Sequence, residues 1–216
     1  MKWRKGALAS LPVIVGTLLL VGLATRAIAF GFAEQPSKPV ALGGTWQLNG
    51  ALSDDVHKAV AEHQQKLVAA MEKMRRRMPR QQEPSLYPTE EEAIGPGPSR
   101  MIREPMMSVE SYEHLKIDQT PDHFVIDRES PSGHIDHQSY DPGESSVVSF
   151  GAGVADRRAG WKGKSFVIET RAVSGVRRQE TYQLDAMAHL VVQTVITGRG
   201  PKLEVKQVYD RAERAP

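Results

Sequence analysis

The stretch from Ser165 to Tyr209, SFVIETRAVSGVRRQETYQLDAMAHLVVQTVITGRGPKLEVKQVY, decides the fold. It reads as three successive β-hairpins whose apolar residues fall on one shared face. Residues on one face of a strand alternate with period two, so a one-residue slip would turn the whole apolar set outward. A turn at Ser174 and Gly175 sets Phe166 opposite Leu184 and Ile168 opposite Tyr182. The turn from Asp185 to His189 sets Leu184 opposite Leu190 and Tyr182 opposite Val192. The turn from Gly198 to Pro201 sets Ile196 opposite Leu203, Thr194 opposite Val205 and Leu190 opposite Tyr209. Glycine at such turns supplies the positive φ that tight hairpins need. Each apolar cross-strand pair adds roughly 0.2–1 kcal/mol, and the mutual agreement of the registers matters more than any one pair. Four strands therefore form an antiparallel meander.

Upstream of this block, Leu115 and Ile117 are expected to pair with Ile126 and Phe124 across a turn at Thr120-Pro121. Strands follow around His134 to Tyr140, Val147 to Phe150 and Val154 to Trp161. With a short strand at Trp46 and Leu48, the total is about nine or ten, enough for a small barrel or a strongly curved sheet. One amphipathic helix is inserted at 53–79. Ser53 and Asp54 offer its N-cap, and Val56, Val60, His63, Leu67, Ala70, Met74 and Met78 form its apolar stripe. Arg75, Arg76 and Arg77 suit the negative end of its dipole. Met71, Met74 and Met78 read as core, with an adaptable partner-docking surface as the alternative. Residues 80–105 carry five prolines and the run Glu90-Glu91-Glu92, the composition of a surface loop or disordered linker.

The chain of 216 residues suits one β-rich domain, 44–216, behind a flexible lead at 30–43 and a processed N-terminus. Lys2, Arg4 and Lys5 precede an apolar run from Ala7 to Ala24, and Ala27-Ile28-Ala29 ends in the small residues a signal peptidase reads. Residues 1–29 are thus read as a signal peptide, and the mature chain as periplasmic or secreted. An uncleaved inner-membrane anchor is the alternative. Cysteine is absent, so neither a lipid-attachment residue nor a disulfide framework is present. The 28 basic and 26 acidic residues become 24 and 26 once the signal and its four cations are removed. A mature net charge of −2 and the compartment both argue against nucleic acid as a partner.

Gly44-Thr45-Trp46-x-Leu48-Asn49-x-x-x-Ser53-Asp54-Asp55 opens a pattern that closes with Trp161-x-Gly163, Glu180-Thr181-Tyr182-x-Leu184, Leu190-Val191-Val192 and Val208-Tyr209-Asp210-Arg211. It resembles a broad family of uncharacterised exported bacterial proteins, at both ends of the mature chain but not across 56–110. That resemblance implies a compartment and a fold, without a catalytic assignment. The Gly44-x-Trp46 opening is also similar to the lipocalin signature, in which the tryptophan packs at a barrel end beneath a late-strand arginine. Arg211 is the matching arginine, and Trp161 and Tyr209 are the further structural residues. The fold expected is a lipocalin-like small barrel or a strongly curved sheet covered by the helix.

Candidate chemistry centres on Glu180, which shares a face with Tyr182, Leu184 and Thr194. A carboxylate on an inward face needs a cation, and Arg178 is the first choice. In a lumen, Glu180, Tyr182, Thr170, Thr194 and Gln207 would form a polar band that orients a ligand. At an open rim the same residues would simply be solvated, and that is the preferred placement. His134-Ile135-Asp136-His137 invites a metal, but His137 points away from His134 and Asp136 on a strand. His57 and His63 do not share a helix face well. With His114, His123 and His189 they read as surface histidines, and neither a metal nor a cofactor is implied. No nucleophile elbow, zinc-protease motif or phosphate loop is present. The sequence points to a non-catalytic binding protein. Its partner is a small apolar or amphipathic molecule or, alternatively, an envelope protein docked on the helix.

Overall fold

The computed structural model describes residues 31–77, 109–150, 153–198 and 200–212. Alternating apolar residues build ten strands: β1 (Gly44–Leu48), β2 (His114–Gln119), β3 (Phe124–Glu129), β4 (Ile135–Tyr140), β5 (Ser145–Phe150), β6 (Gly153–Lys162), β7 (Ser165–Ala172), β8 (Arg177–Leu184), β9 (Leu190–Thr197) and β10 (Leu203–Arg211). They form one antiparallel sheet in the order β4-β3-β2-β1-β10-β9-β8-β7-β6-β5. β1 and β10 join the two chain-order halves, and among the described residues no ladder joins the edges β4 and β5. The result is a curled half-barrel, the strongly curved alternative rather than a closed cylinder. Its inner faces meet, because Phe124 on β3 stacks on Phe166 on β7 at 3.8 Å between ring centroids.

The β8–β9 and β9–β10 registers are those read from the sequence, including Tyr182 opposite Val192, Ile196 opposite Leu203 and Leu190 opposite Tyr209. Two other hairpins are corrected. Phe166 faces Tyr182 and Ile168 faces Glu180, not Leu184 and Tyr182. Ile117 faces Ile126 and Leu115 faces Arg128, rather than Phe124 and Ile126. Both slips are by two residues, which keeps every side chain on its own face and leaves the apolar pattern unchanged.

The helix α1 spans Val56–Arg77 between β1 and β2. Its N-cap is Asp55, whose Oδ1 accepts from the Lys58 amide at 3.0 Å. Ser53 and Asp54, expected to cap it, instead fasten the approach to β10: Ser53 Oγ accepts from the Val208 amide at 2.8 Å and Asp54 Oδ2 from the Lys206 amide at 2.7 Å. Val56, with Ala59 and Val60, packs on Ile196, Leu203, Val205 and Val109, so α1 covers one end of the barrel. Leu67 lies so close to Gly200 that a Cβ there would meet Leu67 Cδ2 at 2.4 Å. Beyond that turn, Met71 is half-buried. Ala70 and Met74 are exposed, so the methionine end of the stripe is not core as expected.

At the other end, Trp46 is fully buried and Arg211 lies over its ring, 4.4 Å from the centroid. Gly44 has φ +140 and a Cβ there would stand 2.5 Å from Arg211 Nη1, so glycine is what lets the guanidinium cover the indole. Residues 31–43, read as a flexible lead, are hydrogen-bonded to the sheet: Ala33 exchanges two main-chain bonds with Trp161, and Gln119 binds both Val40 and Leu42. The signal peptide at 1–29, Met78 and the proline-rich stretch at 80–105 lie outside the described residues. Among those described, no helix is long and apolar enough to cross a membrane.

Candidate functional site

The interior divides into two halves. Toward the Trp46 end it is filled by aromatic rings: Trp161 packs edge-on against Phe124 and Phe166, with centroids 5.9 and 5.3 Å apart, and Tyr140 approaches Phe166 at 6.2 Å. Toward the α1 end it is polar. Alternation along β3 carries Phe124, Ile126 and then Arg128 to the inner face, and along β6 it does the same for Arg157, Ala159 and Trp161.

Arg128 is 4% exposed and is the hub of the polar half. Its Nη2 donates to Glu180 Oε2 at 3.1 Å and to Tyr182 Oη at 2.8 Å, and its Nη1 donates to Asp136 Oδ2 at 3.3 Å. The Tyr182 hydroxyl donates in turn to Glu180 Oε2 at 3.3 Å, and Arg178 Nη2 donates to Glu180 Oε1. Gln138 extends the chain, giving its amide to Asp136 Oδ2 at 2.8 Å and accepting from the Tyr140 hydroxyl. Arg157 Nη1 reaches Gln138 Oε1 at 3.5 Å, with its guanidinium 4.8 Å from the Tyr140 ring centroid. This network runs from β8 through β3 and β4 to β6, so side chains span the unpaired seam between the sheet edges.

Burial by itself would raise the Glu180 carboxyl. The charges of Arg178 and Arg128, with hydrogen bonds from Arg178 and Tyr182, overcome it and bring the group down to about 2. Glu180 is therefore an anion at neutral pH and not a proton donor. Burial, aided by Glu110, pushes the Tyr112 phenol up to about 12, so it stays a neutral hydroxyl. Three arginines, Arg128, Arg157 and Arg178, stand in the polar half with the carboxylates of Asp136 and Glu180 and, at the cavity lining, Glu110. Among the described residues Arg157 has no acidic partner, and its Nε is buried without a hydrogen bond.

Glu180, Tyr182, Thr194 and Gln207 line one cavity with Tyr112 and Arg128, while Thr170 lies outside it, opposite Arg178 in the ladder. The cavity has room for about 10 Å³ of solvent, a single water. All five residues of the expected polar band are buried, Glu180 the least so at 7% exposed. The open-rim placement is thus corrected: Val109, Glu110 and Tyr112 line the cavity at that end, and Val109 in turn packs in the cluster that holds α1. Arg128 and Arg157 were missed by sequence reasoning, although Phe124-x-Ile126-x-Arg128 and Arg157-x-Ala159-x-Trp161 carry the alternation that reveals them. His63 is also corrected, being 5% exposed rather than solvated. His123 and His137 pair with Asp141 and Asp127 on the surface, and His189 bridges Asp185 and Asp210. Among the described residues no group of three metal-ligating side chains converges.

No protein-family model and no curated protein matches the sequence. Several solved structures share the outline. A secretory abundant heat soluble protein from Ramazzottius varieornatus is 9% identical, with 82% of this chain and 100% of that chain covered at a TM-score of 0.49. The fluorescent protein UnaG is 15% identical over 79% and 97%, at 0.46. Zebrafish ileal bile acid-binding protein, solved with cholic acid, is 14% identical over 80% and 100%, also at 0.46.

Proposed function

We propose that this is an exported, non-catalytic binding protein that takes a small amphipathic molecule into the polar half of its interior, with the molecule's anionic end at Arg157. The observation that carries the reading is Arg157 itself: a guanidinium turned inward that, among the described residues, has no carboxylate partner and whose buried Nε has no hydrogen bond. A buried unsatisfied donor costs about 1–3 kcal/mol, and replacing buried ion pairs by apolar residues is often neutral or stabilising. Three inward arginines are therefore a poor way to achieve stability alone and a good way to receive an anion. The cavity holds about one water and is lined at its edge by Val109, Glu110 and Tyr112, with Arg157 outside its lining, so occupancy goes with displacement of that segment.

Native mass spectrometry of the mature protein from its own envelope tests this, reporting cleavage, stoichiometry and bound mass together. The expected result is cleavage after Ala29 and one anionic amphiphile per chain. A clean apo monomer that also takes up no added anionic amphiphile contradicts it.

A second reading, an envelope module docked through α1, is favoured by the exposure of Val68 and Met74, 48% and 63%. Val68→Asp with Met74→Asp tests it, and an unchanged set of co-purifying proteins removes it. Leu67 is unsuitable for that purpose because it anchors the helix on Gly200.

A further inference from the structure

His63 sits in the middle of the docked stripe of α1, seven residues after Val56 and four before Leu67. Val56 and Val60 rest on Ile196, Leu203 and Val205, and Leu67 rests on Gly200, so the ring between them is pressed into the seam between helix and barrel rim. It is 5% exposed, and among the described residues neither Nδ1 nor Nε2 has a hydrogen-bond partner. The main chain of Lys202 comes close enough to favour the protonated ring but not within hydrogen-bond geometry.

The surroundings do not welcome charge. The residues beneath the helix are apolar: Ile196 on β9, Leu203 and Val205 on β10, and Val109. Lys66 on the helix itself repels a positive ring, and its neighbour Glu62 is exposed to solvent. On the rim, Lys202 and Glu204 are half-exposed and ion-paired with each other. Burial, reinforced by Lys66, holds the imidazole below its usual 6.5. A buried imidazole without partners is a poor filler for a packed seam, where leucine would add stability; what it adds is sensitivity to protons.

We propose that His63 is an acid-sensitive latch: neutral, it is sealed under α1; protonated, it drives the helix off the barrel rim and off Val109, which packs with the helix and lines the cavity of the polar half. The approach to the helix stays fastened to β10 by Ser53 and Asp54, so α1 swings from its N-terminal end without being lost. The latch rests on the reading of that interior as the binding site and supplies its regulation, retention near neutrality and release in acid. The sense follows from linkage: the undocked helix binds the proton more tightly than the docked one, so docking weakens as pH falls through about 6.5.

Hydrogen exchange on the ligand-free protein between pH 8 and pH 5 tests it, with rates corrected for intrinsic chemistry and β8 and β9 as internal reference. In the wild type, protection of α1 should fall several-fold as the pH drops, while β8 and β9 hold. In His63→Leu it should stay flat. A wild-type helix that keeps pace with the reference strands, or a His63→Leu helix that opens at the same pH, overturns the latch. If His63→Leu fails to protect β8 and β9, ring NMR of the wild type decides: titration of His63 must coincide with opening of α1, and titration without opening refutes it. No ligand is involved, so a flat helix profile removes the latch alone, whereas failure to bind amphiphiles removes the binding reading alone.

Discussion

The two halves of the interior solve burial in opposite ways. Around Phe124, Tyr140, Trp161 and Phe166 the sheet closes on itself through ring contacts, and everything there is explained by packing. Around Arg128, Arg157 and Arg178 it closes through charge-assisted hydrogen bonds, and among the described residues Arg157 has no acidic partner. A protein selected for stability alone needs only the first half. The second is where structure exceeds what the fold requires, and so it is where function is sought.

Cutting into the aromatic half should have the largest effect. Phe166 is fully buried at the centre of the stack, and Phe166→Ala should cost about 3–5 kcal/mol in denaturant unfolding with no change in the pH dependence of stability. A loss near 1 kcal/mol would mean that the rings do not hold the faces together.

Arg128→Met should cost about 3–5 kcal/mol, because it takes from Glu180 Oε2, Tyr182 and Asp136 the buried cation they share and leaves Glu180 with Arg178 alone; adding Glu180→Gln should return part of it. Additive losses in the double variant would show that the pair is not coupled. This response separates the halves: a second substitution rescues a stranded charge but cannot refill a missing ring.

The acid limb gives a smaller signal. The Glu180 carboxyl titrates at about 2 folded against 4.5 when unperturbed. Its stabilisation, on the order of 3 kcal/mol, is complete above pH 4.5 and is lost as pH falls toward 2. Glu180→Gln should flatten that limb of the stability curve, and an unchanged acid limb would place the sensitivity elsewhere.

The division between the halves also explains what was legible in the sequence. The meander, its three turns and the shared apolar face followed from alternation, and β8, β9 and β10 paired as read. Alternation is blind to a two-residue slip, since the same residues stay inside. The slips at the β2–β3 and β7–β8 hairpins hid only who sits opposite whom: Arg128 beside Leu115, and Glu180 beside Ile168. The Arg128–Glu180 pair joins β3 to β8, which share no ladder, so no hairpin register could have shown it. The cation needed by Glu180 was anticipated as Arg178, two residues away on the same face of β8. Arg128 reaches it from 52 residues earlier, which no local pattern encodes. The burial of the polar band was not legible either, because it depends on where α1 comes to rest.

The central claim is that Arg157 receives the anionic end of a ligand in the polar half, and titration calorimetry with octyl sulfate and 1-octanol tests it most directly. The account predicts one octyl sulfate per chain, bound at least about tenfold more tightly than the alcohol, roughly 1.4 kcal/mol, with that preference abolished in Arg157→Gln. Equal affinity for the two, or a preference that survives Arg157→Gln, would contradict it.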